Sequence, residues 1–273
     1  MSTEKSVNES RTSVTYPLTG ITVLDLSHVY NGPYATYLMA MAGAEVIKIE
    51  PRGGEHLRSR GDTGGAALPF AMLNSNKRVV TLNLKHPRGK ALLVEMVRRA
   101  DVLVENFAPG VMDRLGVGAA TLGSANKRLV YASSSGYGKS GPYRDYPAMD
   151  LVMQAMSGVI SITGYPDQPP VKSGPALCDF FAGVHLYGAV VTALYERERT
   201  GLGRTVEVTM QDAVYASMAS NLGMYYASGG KSPSGRETAT VGWAFRPTTS
   251  TAPRTDTSWS MHPAMITSDR SCA

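Results

Sequence analysis

From residue 21 onward, short apolar runs rich in β-branched residues alternate with stretches whose apolar residues recur at helical spacing, and this alternation restricts the fold more than any other feature. Residues 21–26 read as a first strand. The loop 27–33 leads into a helix over about 34–41, Gly43 ends it, and 45–50 form a second strand. A third strand is expected at 79–84. His86 and Pro87 then open a charged helix to about residue 99, with Leu92, Leu93, Met96 and Val97 on one face. Strands at 102–105 and 129–133 close the series. Strands separated by helices in this way predict an α/β protein, a Rossmann-like, mostly parallel sheet with flanking helices. No G-x-G-x-x-G follows the first strand and no G-x-x-x-x-G-K-[ST] occurs, so a dinucleotide or P-loop enzyme is disfavoured.

A second organisation follows Tyr146: a helix over 149–156, a Gly/Pro-rich turn region to Pro175, and a long helix ending near Arg199. Gly201 and Gly203 bracket its exit, and 205–210 alternate like a strand. Within this region the small-residue loop G-P-A-L-C-D places Asp179 where a loop meets the long apolar helix. A helix N-terminus favours an ionised side chain there, so Asp179 reads either as a helix cap or as a nucleophile. Asp150, after Pro147 and Ala148, reads either as a helix cap or as a cofactor-binding residue.

The chain has 273 residues, 43% hydrophobic and 18% charged, enough for one large core or two smaller ones. A formal charge of +5 suits an anionic ligand. Lys and Arg are nevertheless spread without dense runs, which argues against nucleic acid. The two cysteines, Cys178 and Cys272, have no metal-ligand spacing and fit a reducing cytoplasm. Residues 1–15 are polar and read as a disordered leader. No apolar run is expected to reach membrane-spanning length. No metal constellation is evident, and His28 and His185 read as structural.

Five ordered motifs carry a resemblance. G-I-T-V-L-D-L-S-H-V-Y-N-G-P-Y-A-T (20–36), A-G-A-E-V-I-K-I-E-P-R-G-G (42–54), N-S-N-K-R (74–78), A-D-V-L-V-E-N-F-A-P-G-V-M-D-R-L-G (100–116) and S-G-P-A-L-C-D (173–179) resemble the family III CoA-transferases, the CaiB/BaiF family of formyl-CoA transferase and the carnitine and bile-acid CoA-transferases. The resemblance runs from about Pro17 to about Tyr225. It implies transfer of coenzyme A from an acyl-CoA to an organic acid through an aspartyl-CoA intermediate on Asp179. Coenzyme A is then a cosubstrate, with no tightly bound cofactor. It also implies CoA contacts at Arg52 (or the neighbouring Pro51), at the segment Leu82, Asn83, Leu84 and Lys85, at Asn106, Phe107 and Ala108, and at Arg114, the favoured cation. Tyr30 and Asn31 stand where the oxalate-type enzymes carry a glutamine, a departure that counts against oxalate. Met149 stands where the related α-methylacyl-CoA racemases carry a histidine, and a thioether cannot exchange protons.

The resemblance implies a domain organisation of 1–15 leader, 16–231 CoA-transferase region and 232–273 tail. The tail is Ser, Thr, Arg and Pro rich and reads as disordered. Read from the third base of each codon, residues 236–244 can encode G-N-R-H-G-G-L-G and 245–259 can encode S-P-x-N-V-Y-R-A-P-D-G-H-I-M. That text resembles the family's own continuation, so the tail is expected to be a frameshift product, which the gene's nucleotide sequence around codon 236 tests. Family members form interlocked homodimers and continue into a returning segment with a Gly-rich loop. A chain without that segment is expected to be impaired in dimerisation and turnover, and an inactive CoA-binding fragment stands as the alternative function, with racemisation behind it.

Overall fold

The computed structural model describes residues 15–60, 62–63, 66–164 and 168–230, all within one compact unit. The leader to residue 14, the tail from 231 and the frameshift expectation attached to it lie outside the described residues.

The chain runs through β1 (Thr22–Asp25), α1 (Asn31–Met41), β2 (Glu45–Glu50), a small antiparallel pair β3 (Asp62–Thr63) and β4 (Ala66–Ala67), α2 (Leu68–Asn74), β5 (Lys77–Thr81) and α3 (Pro87–Val97). It continues through β6 (Val102–Glu105), α4 (Val111–Arg114), α5 (Ala119–Ala125), β7 (Val130–Ser135), α6 (Asp150–Met156), α7 (Leu177–Thr200), β8 (Thr205–Thr209), α8 (Met210–Tyr215) and α9 (Ala219–Ala227). Six strands form one sheet in the order β5-β2-β1-β6-β7-β8, every pair parallel. Counting these strands along the chain, the order is the doubly wound 3-2-1-4-5-6 arrangement of the Rossmann fold.

Period-two alternation puts a core on each face. Val23, Val46, Val102, Val104 and Val130 point to the side covered by α1 and α7, where they meet Met39, Leu186, Val190 and Leu194. Leu24, Leu103 and Tyr131 point the other way, against Leu93, Val97 and Leu122 of α3 and α5. A third cluster joins α6, the start of α7 and α8 through Met153, Cys178, Ala182 and Val214.

α1 begins at Asn31, three residues before its expected start, and β5 and α7 differ further from the sequence expectation. β5 occupies 77–81 rather than 79–84, because its register against β2 (Val46 with Lys77, Glu50 with Thr81) stops where β2 stops, which frees Leu82–Lys85 as a loop at the sheet edge. α7 begins at Leu177, so Asp179 is inside its first turn; Ala176 takes the cap position without a side-chain bond. α7 is also long and apolar enough to cross a membrane by length and composition, contrary to the expectation that no run would be. In this fold it packs lengthwise on the sheet through Leu186, Val190, Ala193 and Leu194.

Two glycines set the approach of α1 to its neighbours. A Cβ on Gly32 would lie 2.2 Å from the Ser27 Cβ, and one on Gly183 would lie 2.8 Å from the Asn31 carbonyl oxygen. Without side chains at these points, α1 seats against both the β1–α1 loop and α7 close to Asp179.

Candidate functional site

In the parallel sheet the chain builds outward from β1 to β2 and β5, then returns to the other side of β1 with β6. The loops after β1 and β6 therefore diverge, and the crevice between them is where ligands enter open α/β sheets. His28 follows β1 and Asn106 follows β6. Asn106 spans the gap: its Oδ1 accepts from the His28 N–H at 2.9 Å and its Nδ2 donates to the His28 carbonyl at 2.9 Å. Phe107 packs on the His28 ring at 5.4 Å between centroids, and Glu105 Oε2 accepts the Phe107 N–H at 2.9 Å.

The β1–α1 loop is held from beneath by buried charge. Asp25, fully buried, faces Lys77 at 3.0 Å and Lys48 at 3.9 Å and also accepts from Thr36 and Ser27. Burial alone would raise the Asp25 carboxyl, yet the two ammonium groups and the two hydroxyls hold it well below the usual carboxylate range. Lys77 Nζ sits among Asp25 Oδ2, the Pro33 carbonyl, Thr36 Oγ1 and Asn74 Oδ1, each within 3.0 Å. Lys48 Nζ donates to the Ser27 carbonyl at 2.9 Å. Above this cluster Val29 adopts φ +64°, a left-handed conformation that a β-branched residue avoids, while its N–H donates to the buried Glu55 at 2.9 Å. Strain of about 1–3 kcal/mol at such a residue is characteristic of functional loops.

Asp179 lies at the sheet's carboxyl edge because α7 runs from there back to the start of β8. No side-chain hydrogen bond satisfies its carboxyl among the described residues, and burial, with the Asp150 charge in second place, pushes it up to about 7. Asp150 is the surprise of the region. It is the first residue of α6, after the cap position at Met149, yet its carboxylate caps α7: Oδ1 accepts from the Cys178 N–H at 2.8 Å and the Asp179 N–H at 3.3 Å. Gln154, buried one turn later, donates to Asp150 Oδ2 at 2.6 Å and to the Pro175 carbonyl at 3.3 Å, and accepts from the Ser173 N–H at 2.8 Å. The loop before Asp179 is thus stapled to α6 through side chains 19 to 29 residues away in sequence.

Asp179 borders two cavities. One, of about 340 Å³, is walled by His28, Asn31, Asn106, Phe107, Tyr137 and Arg144 among others. The buried Asn31 donates to Ser134 Oγ at 2.9 Å, and its Oδ1 has no partner among the described residues. The second, of about 740 Å³, is walled by Tyr30, Tyr34, Tyr37, Met72, Asp150 and Phe180 among others. Val29 and Met149 touch both. A third cavity of about 500 Å³ lies over the carboxyl ends of β1 and β2, lined by Pro51, Leu82, Asn83, Leu84 and Lys85, and it shares His28 and Phe107 with the first. Through these shared residues the three adjoin in series, from the edge at Lys85 to Asp179.

Of the residues named from the sequence, Leu82, Lys85 and Phe107 line the edge cavity, Asn31, Asn106, Phe107 and Ala108 the middle one, and Tyr30 and Asp150 the one of about 740 Å³. Tyr30 and Asn31, adjacent in sequence, line different cavities that Asp179 also borders. Arg52 is exposed in the turn after β2, where Pro51 is the lining residue. Arg114 is exposed on α4. Its Val111 and Leu115 neighbours line the edge cavity, whereas its own guanidinium folds back towards Gly110, where a Cβ would come within 2.9 Å. His28, read as structural from the sequence, lines both the edge and middle cavities. Burial pulls its imidazole below the ordinary histidine value, which keeps it neutral near pH 7. Its position directly after the first strand was the available signal. Gln154 carried none, because its partners come together only through α6 and α7.

With this geometry in place, comparison with known proteins is specific. The sequence model of CoA-transferase family III matches residues 18–253. The acetyl-CoA:oxalate CoA-transferase of Acetobacter aceti is 46% identical over 220 residues, covering 80% of this chain and 56% of that protein. The formyl-CoA:oxalate CoA-transferase of Streptomyces avermitilis is 47% identical over 205 residues, 74% of this chain and 49% of the relative. The chain thus spans about half the length of the curated relatives it matches. The crystal structure of a CaiB/BaiF family protein from Brucella suis superposes with a TM-score of 0.77 at 34% identity, over 81% of this chain and 60% of the other.

Proposed function

Since the chain belongs to CoA-transferase family III, we propose that it binds an acyl-CoA along these adjoining cavities and passes coenzyme A to a second carboxylic acid through Asp179. The observation that carries this reading is the Asp179 carboxyl, without a side-chain partner among the described residues and bordering two cavities, one of which adjoins a third that reaches a lysine at the sheet edge. Lys85 supplies a point charge for phosphate there, and the apolar Leu82, Leu84 and Phe107 offer surface to an adenine and its pantetheine arm.

An Asp179 carboxylate oxygen attacks the thioester carbonyl; the C–S bond breaks and CoA leaves as thiolate, giving a mixed anhydride. The thiolate attacks the aspartyl carbonyl and expels the donor acid as carboxylate, which leaves an aspartyl-CoA thioester. The acceptor carboxylate attacks that thioester, and the returning thiolate collects the new acyl group and frees Asp179. No net proton is consumed. A carboxyl raised to about 7 is a stronger nucleophile once ionised than an ordinary aspartate. Met149 lines both cavities that Asp179 borders, and a thioether there disfavours α-proton exchange by a paired base. The relatives' names point to oxalate as one acid, against which Tyr30 and Asn31 speak.

Trapping tests the reading. Full-length protein mixed with acetyl-CoA and quenched with hydroxylamine or borohydride is expected to carry a modification on Asp179, detected by peptide mass, and the Asp179→Asn variant none. An unmodified Asp179 in protein that demonstrably binds CoA would refute the covalent mechanism and leave a CoA-binding chain without turnover.

A further inference from the structure

We propose that the aromatic cavity beside Asp179 receives the acyl group, and that the acids handled are alkyl or aryl carboxylates larger than a two-carbon diacid; this rests on the CoA-transfer reading of Asp179. The geometry follows from the thioester itself. The sulfur and the acyl substituent leave the carbonyl carbon in different directions. If the pantetheine arm reaches Asp179 through the middle cavity, which shares His28 and Phe107 with the edge cavity, the acyl group projects away from it. The other cavity that Asp179 lines has about 740 Å³, within the range of sites that enclose small molecules.

Its wall is preformed and apolar. Phe180, the residue after Asp179, stacks on Tyr30 at 6.0 Å and 20° and meets Tyr34 edge-on at 4.9 Å, while Tyr34 stacks on Tyr37 at 6.4 Å. Rings that hold one another present a flat surface at little entropic cost. Leu68 (51% exposed), Met72 (63%) and Leu151 (52%) add large apolar side chains to the same lining. Surface of this kind is wasted on a two-carbon diacid. It rewards methylene or phenyl groups by removing them from water. Arg60 and Lys172 lie on the same lining and are exposed; they attract the carboxylate of a free acid towards an otherwise acidic pair, Asp150 and Asp179.

Calorimetry on the full chain with CoA, acetyl-CoA and octanoyl-CoA reads this without requiring turnover. Octanoyl-CoA is expected to bind at least about tenfold more tightly than acetyl-CoA, six further methylenes being partly buried. Met72→Asp and Leu68→Asp, both at exposed positions, are each expected to erase that advantage by weakening octanoyl-CoA at least about tenfold more than acetyl-CoA. Equal affinity for the two thioesters would overturn the acyl assignment while the CoA reading stood. An advantage that survives in both variants would place the chain elsewhere and overturn it too. Failure of every CoA species to bind would remove both.

Discussion

Asp179→Asn isolates the energetic consequence of burying a carboxyl that nothing in the described structure satisfies. In the folded protein the group is raised from 3.8 to about 7 by burial and by Asp150. At about 1.4 kcal/mol per unit, that rise is worth roughly 4 kcal/mol. Asp179 opens on two cavities, so water screens part of the penalty, and about 2 kcal/mol is the expected size. The sign follows from proton counting. Between pH 4 and 7 the unfolded chain has released the proton that the folded chain still holds, so stability is full below about 3.8, falls as pH rises to about 7, and is level above. The Asn variant is isosteric and cannot ionise. It should match the wild type at pH 4 and exceed it by about 2 kcal/mol at pH 8, some 4–8 °C in Tm for a domain of this size. Urea or thermal unfolding of both proteins from pH 4 to 8 measures the difference. Parallel pH profiles would show that the carboxyl is solvated as an ordinary aspartate and would refute the reasoning.

Asp150→Ala removes the acceptor for the Cys178 and Asp179 N–H groups; a loss of about 1 kcal/mol in unfolding experiments is expected, together with a fall in the Asp179 value as the like charge disappears, visible as a shift of the trapping reaction's pH profile to lower pH. Lys77→Ala leaves buried Asp25 short of one of its two cations, and a destabilisation of about 3–5 kcal/mol is expected by denaturant titration; a change below about 1 kcal/mol would mean that Lys48 alone suffices. Lys85→Ala, which strips the edge cavity of its lining lysine, should weaken CoA binding by about 1.5–3 kcal/mol in calorimetry, whereas Arg114→Ala should leave it within about twofold.

Much of this protein was legible one segment at a time. Val23, Val46, Val102 and Val130 alternate with residues of the other face, and a period of two read over four to six positions identifies a strand without any knowledge of its partners. The same local reading drew attention to Asp179, because a small-residue loop before a long apolar helix is a short-range pattern. Ordered motifs then tied that residue to the chemistry of a family. β5 starts two residues and ends three residues before its expected bounds, because strand ends are set by the partner's register, as with Glu50 opposite Thr81, and not by the strand's own apolar residues.

The composition of the site lay beyond local reading. Asn106 and His28 are 78 residues apart, and the crevice they bridge exists only because the sheet reverses direction at β1. Asp150 looked like the cap of its own helix and instead caps α7, a partnership created by packing α6 against α7. Neighbours Tyr30 and Asn31 were assigned to different cavities beside Asp179 at the turn into α1, and the Arg114 guanidinium was set against Gly110. Residue type and spacing determined which elements form and which carboxylate carries the candidate chemistry. Only the tertiary structure decided what surrounds that carboxylate, because burial, like-charge proximity and the walls of a cavity are made by segments that no sequence window contains together.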